Sequence, residues 1–500
     1  MGLNVWDLAV VAVYLAGITI FGLRFRKKQR SLKDYFLGGN RIPWWAISLS
    51  IVAAETSTLT IISVPGMAYE KNFGFLQLVI GYMVGRIVIS FLLIPPYFRG
   101  QLFTAYQLIE IRFGKTLRSL TAGLFLITRA AAEGVRVFAV AIVVAIALSS
   151  FLGGLGSLAR DVAAIAIVTL LTLIYTFEGG MAAVIWTDVI QMTIYVTGTL
   201  VAFLTLLHLI PGGWATVQNV AGEAGKFHVF DFSWNPSKTY TFWSGLIGGA
   251  FLTTASHGTD QLIVQRLLSA RSERQSKIAL LSSGIAVFAQ FLLFLFVGAM
   301  LFVFYKTSPP TALFTRTDTI FPTFIVTRMP HGVSGLLISA ILAAAMSNLS
   351  AALNSLSSTT IVDFYARWRP LASEERRMRL SRLATIGWGL VLFCLAILAR
   401  HGGKVLEVGL SIASVAYGSL LGVFLLGVIT QRASERGAMA GMLVGFLLNI
   451  YLWLFTRVPF TWYVALGSIV TFIVGYGVSI VLPRNKTAAE MSTTGGVACN

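Results

Sequence analysis

The chain is poor in the residues that build soluble enzymes. It holds two cysteines and five histidines among 500 residues, and only 12% of it is charged. Cys394 falls in an apolar run and Cys499 in the tail, at different membrane depths, so no disulfide is expected. The histidines form no cluster with metal-ligand spacing, which leaves no metalloenzyme or redox motif. No two-aspartate, Ser-Lys or HExxH arrangement sits on facing apolar runs, so the chain is not expected to be an enzyme. So little charge also excludes an ordinary globular domain, which would need far more polar surface at this length.

What fills the chain instead is apolar sequence. Apolar residues make up 56% and the mean hydropathy is +0.79. Thirteen runs lie near 5–23, 43–68, 75–98, 119–149, 160–177, 181–209, 241–263, 278–305, 335–361, 383–400, 404–430, 436–456 and 460–482. A helix of ~20 residues crosses ~30 Å of hydrocarbon, so an all-α polytopic membrane protein is expected. The first run is followed by RFRKKQR and reads as a retained helix rather than a cleaved signal. The net charge of +18 does not mark a nucleic-acid partner, because Lys and Arg sit in short loops without interleaved aromatics. With the N-terminus outside, cytoplasmic loops receive the larger share of the 38 Lys and Arg. That bias places the N-terminus outside and the C-terminus inside a cytoplasmic membrane.

The expected organisation is one transmembrane domain over 1–483 and a short polar tail over 484–500. Within the domain, inverted repeats over about 43–209 and 241–430 follow the first span and precede two further spans over 436–482. Segments 210–239 and 306–334 then lie outside and are expected to hold short interfacial helices.

One stretch conflicts with a plain membrane helix. Residues 51–66, IVAAETSTLTIISVPG, carry Glu55, four hydroxyls in the five positions after it, and Pro65-Gly66. A break at this depth exposes backbone polar groups that lipid cannot satisfy, so it must line protein or a watery cavity. Paired broken helices in two inverted repeats build ion and substrate sites near the midplane of transporters. Five spans later, GLIGGAFLTTASHG (245–258) offers four glycines, three hydroxyls and His257, the expected partner break.

With KDYFLGGNRIPWWAISLS (33–50), VIWTDVIQM (184–192), GTDQLIVQRLLSA (258–270) and AILAAAMSNLSAALNS (340–355), the chain resembles the sodium:solute symporter family. The resemblance covers nearly everything from residue 5 to 484. It implies the five-plus-five inverted-repeat fold of the bacterial leucine transporter, sodium as coupling ion, one per cycle, and import of a small solute by alternating access. A monomer is compatible with that fold. By the same resemblance, sodium takes the carbonyls of Ala53, Thr56 and Ala344 and the side chains of Ser347 and Asn348. Asn348 stands where the family commonly has a hydroxyl. Asp188 matches an aspartate tied to sodium coupling, in some members at a second site. Here Ser350 is followed by Ala351 rather than a second hydroxyl, which favours one ion. The alternative reading pairs Asp188 with a cytoplasmic-side arginine as a structural lock.

The fourth span, ITRAAAEGVRVFAVAIVV, places Arg129, Glu133 and Arg136 at i, i+4 and i+7 on one helical face. By resemblance to sialic acid carriers of the family, Arg136 binds a substrate carboxylate, which suits a planar two-pronged donor. The alternative is an internal salt-bridge set of Glu133 with both arginines, with room for Glu55 to join it. Further candidate substrate contacts are Glu55, Ser57, Thr60, Phe75, Thr253, Ser256 and His257. Glu55 replaces a threonine of the sialic acid carriers and Thr253 an asparagine, while Val79 replaces a polar residue. Those losses favour a smaller, carboxylate-bearing solute over a polyhydroxylated sugar. Asp260, Gln261 and Arg266 read as structural or gating residues. A proton-coupled carrier using Glu55 or Asp188, an amino-acid or sugar symporter, and a membrane sensor remain as rival readings.

Overall fold

The computed structural model describes residues 2–24, 37–99, 105–175, 180–310 and 313–482. The tail over 484–500, Cys499 and most of RFRKKQR lie outside the described residues. Among the described residues, regular structure is helical apart from one isolated bridge between Ile42 and Ala270. Ten helices are long and apolar enough to cross a membrane, and a bent pair brings the number to eleven. Two of the thirteen expected runs give shorter helices. The first is apolar over Val5–Phe21, and the seventh is divided into consecutive pieces.

The principal helices, in chain order, are α1 (Val5–Leu23), α2 (Trp44–Glu55), α3 (Thr58–Glu70), α4 (Leu76–Leu92) and α5 (Lys115–Ala147). Then come α6 (Ser157–Tyr175), α7 (Gly180–Leu209), α8 (Gly249–Gly258), α9 (Gln261–Leu268) and α10 (Glu273–Thr307). The last five are α11 (Val333–Thr359), α12 (Glu374–Ala399), α13 (Val405–Ile429), α14 (Glu435–Phe455) and α15 (Tyr463–Val481). Helices α2, α3 and α4 pack on α10, and α5 packs against α11, α12 and α13. Around this centre, α14 and α15 pack on each other and on α13, and α1 lies against α11.

The second span bends by 64° between α2 and α3. The chain leaves the helix at Thr56 (φ −81°, ψ 71°), and Ser57 is extended (φ −74°, ψ 172°). A run of Thr and Ser suits such a break, since short hydroxyl side chains compete with helical backbone bonds. Pro65 is not the breaker: α3 runs through it to Glu70. Beyond it, Lys226 caps the C-terminus of α3. Its Nζ donates to the Tyr69 (2.6 Å) and Glu70 (3.1 Å) carbonyls and lies 4.2 Å from the Phe302 ring centroid.

The expected break within residues 245–258 is not there. A π-helical turn over Ser244–Gly248 continues directly into α8, and the chain first leaves the helix at Thr259 and Asp260. Its glycines serve close packing instead. A Cβ on Gly245 would lie 2.6 Å from the Gln77 carbonyl carbon, and one on Gly249 would overlap the Leu78 carbonyl oxygen. Backbone therefore meets backbone where this span crosses α4, a contact that small residues make available in membranes.

Candidate functional site

A cavity of about 200 Å³ opens at the bend. It is lined there by Ala54, Glu55, Ser57 and Thr60 and extends along α5 from Arg136 to Thr121. Fifteen residues of helix, about 22 Å, separate those two positions. Phe75, Thr253, Ser256, His257 and Asn348 also line it. At the Phe75 end the wall is aromatic: Phe75 stacks on Phe291 at 5.3 Å and meets Tyr240 at 5.5 Å between ring centroids. Tyr240 in turn donates to Glu407 of α13 at 3.0 Å. The far end runs toward Tyr106, Thr121 and Leu420.

The bend supplies free oxygens. Ser57 N–H donates to the Glu55 carbonyl and Thr60 N–H to the Ser57 carbonyl. Consequently, among the described residues, no backbone N–H reaches the carbonyls of Ala53 or Thr56. The Thr58 hydroxyl is buried without a partner. The Thr56 hydroxyl is occupied, donating to Gln290 Oε1 at 2.8 Å. On the facing side α11 packs against α3. There Ser347 and Asn348 are half-buried, and among the described residues no hydrogen bond engages either side chain. The Ala344 carbonyl belongs to unbroken helix. Sodium, a hard cation, takes oxygen ligands, and a set of two freed carbonyls, a hydroxyl and an amide oxygen fits it.

Glu55 lies in the cavity wall but is not free. Its carboxylate pairs with Arg86 of α4 and lies 3.3 Å from His257 Nε2. Arg86 is wholly buried, with Nε donating to Ser283 and Nη1 to the Tyr82 carbonyl, both at 3.3 Å. Sequence reading left Glu55 open between several partners and gave Arg86 no role. Its only signal was a guanidinium inside an apolar run, for which a nearby carboxylate is the physical requirement.

Asp188 is held by side chains of α2 and α9. Its Oδ2 accepts from Ser50 Oγ at 2.5 Å and from Arg266 Nη2 at 2.9 Å, and Arg266 Nε also donates to Ser50. The carboxylate is thus paired with an arginine, and it does not line the cavity at the bend. Its neighbour Gln191 has a side-chain amide buried with neither end bonded. Asp260 caps α9 through Leu262 N–H at 2.9 Å and accepts from Tyr417 at 2.9 Å. Gln261 Oε1 accepts from Ala105 N–H.

On α5 the expected charged face is present. Arg136 Nη1 donates to Glu133 Oε1 at 2.9 Å, and Arg129 Nη2 lies 2.9 Å from the same oxygen. Arg129 Nη1 is 3.6 Å from Asp260. Arg129 is 8% and Glu133 0% exposed, but the Arg136 side chain is 29% exposed and faces the cavity. Val79 is buried and does not line the cavity.

Comparison with known proteins agrees with this geometry. Residues 35–445 match the sodium:solute symporter family. The chain belongs to that family. It is therefore a multi-pass membrane transporter that couples solute movement to sodium. It is 30% identical to the sodium/sialic acid symporter SiaT of Proteus mirabilis, over 97% of this chain and 96% of that protein. It is 28% identical to the sodium-coupled monocarboxylate transporter 2 of Bos taurus, over 89% of this chain and 72% of the relative. A solved Na+-coupled sialic acid symporter, substrate-bound and outward-open, superposes with a TM-score of 0.81 at 29% identity, covering 97% of this chain and 99% of that one. A nucleobase-cation-symport-1 family transporter in a closed conformation shares the fold at 12% identity and a TM-score of 0.57, covering 92% and 97%.

Proposed function

We propose that this symporter imports a small solute bearing a carboxylate, with one sodium per cycle, and that Arg136 holds the carboxylate. The carrying observation is the Arg136 guanidinium, part-exposed in a cavity that adjoins the freed carbonyls of the bend. Arg136 Nε and Nη2 make no hydrogen bond among the described residues, so two donors remain for an anion. The similarity to sialic acid and monocarboxylate carriers supports an acidic solute. The apolar wall of Phe75, Leu252 and Phe291, with Val79 buried behind it, favours a solute with few hydroxyls. Glu55, Ser57, Thr60, Thr253, Ser256 and His257 are its remaining contacts in this reading.

Sodium is held by the Ala53, Thr56 and Ala344 carbonyls with Ser347 and Asn348. Ordering the bend around the ion also shapes the solute pocket, so each ligand raises the other's affinity. The excess of Lys and Arg in alternate loops supports a cell-membrane protein with its N-terminus outside. In that orientation the aromatic wall closes the outer side and the cavity runs inward. The carrier then works as a monomer within the bilayer and performs no catalytic step.

A thermal-shift screen of the purified protein tests this reading. Acetate, lactate, pyruvate and N-acetylneuraminate are compared with amino acids and neutral sugars, with and without sodium. A carboxylate is expected to raise Tm only in sodium. Arg136→Ala should abolish that carboxylate shift, and Ser347→Ala should abolish the sodium shift. Undiminished carboxylate stabilisation of Arg136→Ala would refute the assignment.

A further inference from the structure

We infer that Glu133 stands in for the solute's carboxylate in the empty carrier, occupying part of the Arg136 fork and yielding it when an anion arrives. The inference rests on the reading of Arg136 as the solute's partner. Glu133 sits on α5 one turn from each arginine, at i+4 from Arg129 and i−3 from Arg136. A single oxygen, Oε1, serves both guanidinium groups at 2.9 Å, while Oε2 is buried with no hydrogen-bond partner among the described residues. One carboxylate is thus shared by two cations and saturates neither.

The two arginines differ in what else holds them. Arg129 is buried and stays beside Asp260, itself fixed by Tyr417 and the start of α9. Arg129 Nε has no hydrogen-bond partner among the described residues. Among the described residues Arg136 pairs only with Glu133, and it faces the cavity. A solute carboxylate can therefore take Arg136 with two parallel hydrogen bonds while Glu133 keeps a cation, Arg129, and is never left buried and unpaired.

Discrimination follows. A carboxylate replaces what it displaces, charge for charge, whereas a neutral solute would have to break an ion pair and offer only weaker hydrogen bonds. Glu133 is in this sense a specificity-determining residue that never needs to touch the solute. It also lowers affinity, since part of the solute's binding energy goes to displacing it.

The test uses the full-length protein in saturating sodium and titrates whichever of acetate, lactate, pyruvate or N-acetylneuraminate gives the largest thermal shift. Glu133→Gln removes the competing charge and should tighten Kd about tenfold, the effect of one charge-assisted hydrogen bond. The amide of the same acid should gain affinity in this variant alone. Asp260→Asn makes the same charge change near Arg129 without touching Arg136 and should tighten Kd far less. Glu133→Asp, whose shorter side chain withdraws from Arg136, gives a second measurement in the same direction should Glu133→Gln fold poorly. Unchanged or weaker binding in the Glu133 variants, or equal tightening in Asp260→Asn, overturns the inference. Loss of binding in Arg136→Ala alongside unchanged binding in Glu133→Gln would sink this inference and leave the carboxylate reading standing. If no carboxylate stabilises the parent protein, both fall.

Discussion

At the scale of single residues, the buried charges around the cavity each lie beside an opposite one. Glu55 has Arg86, Asp188 has Arg266, and the α5 arginines share Glu133 and Asp260. The presence of these charges was legible in the sequence, because all but Arg266 interrupt an apolar run. Their pairing was not, since Glu55 and Arg86 lie 31 positions apart and Asp188 and Arg266 78 apart. Removing one member of such a pair strands the other. Arg86→Met is expected to destabilise the protein by about 3–5 kcal/mol by leaving Glu55 buried alone. Arg86→Met/Glu55→Gln should regain most of that loss. Thermal melts in detergent check both, and a double variant no more stable than Arg86→Met would show that the pair is not the source.

At the scale of elements, two similar-looking signals had different causes. The AAETST stretch marks a true bend, where hydroxyl-bearing residues release carbonyls at the end of α2. The glycines of residues 245–258 looked like a matching break, yet they let that span lie backbone to backbone on α4. Glycine serves either purpose, and only the neighbouring helix decides which. Gly249→Ala should therefore act as overpacking, costing about 1–3 kcal/mol, rather than as relief of a flexible hinge. A raised Tm in that variant would contradict the close-packing account. The start of α12 shows another limit: the apolar run begins near 383, but the helix begins at Glu374 because its first turns, rich in Glu and Arg, are exposed.

At the scale of the whole molecule, charge sets the energetics of the cycle. Arg129 and Arg136 balance Glu133 and Asp260, and the remaining charged residues of the cavity wall are paired. The empty cavity is thus neutral, and so is one loaded with a monocarboxylate and one sodium. A charge crossing the membrane is worth about 2.3 kcal/mol per 100 mV, so a neutral cycle should ignore an imposed potential. Uptake of a monocarboxylate into proteoliposomes is expected to keep its rate when potassium and valinomycin set the inside negative. Acceleration would show that more than one sodium accompanies each solute. Sequence alone determined that this chain is a bundle of membrane helices with a bend at residues 55–58, because apolar run length and local hydroxyl content act along the chain. It also placed the charged face of α5, because helical periodicity is local. Only the tertiary structure decided which carboxylate neutralises which arginine, and which of those arginines keeps donors free for a solute. Ion pairing in a low-dielectric interior depends on distances of a few ångströms between segments far apart in the chain, and no pattern within one segment encodes them.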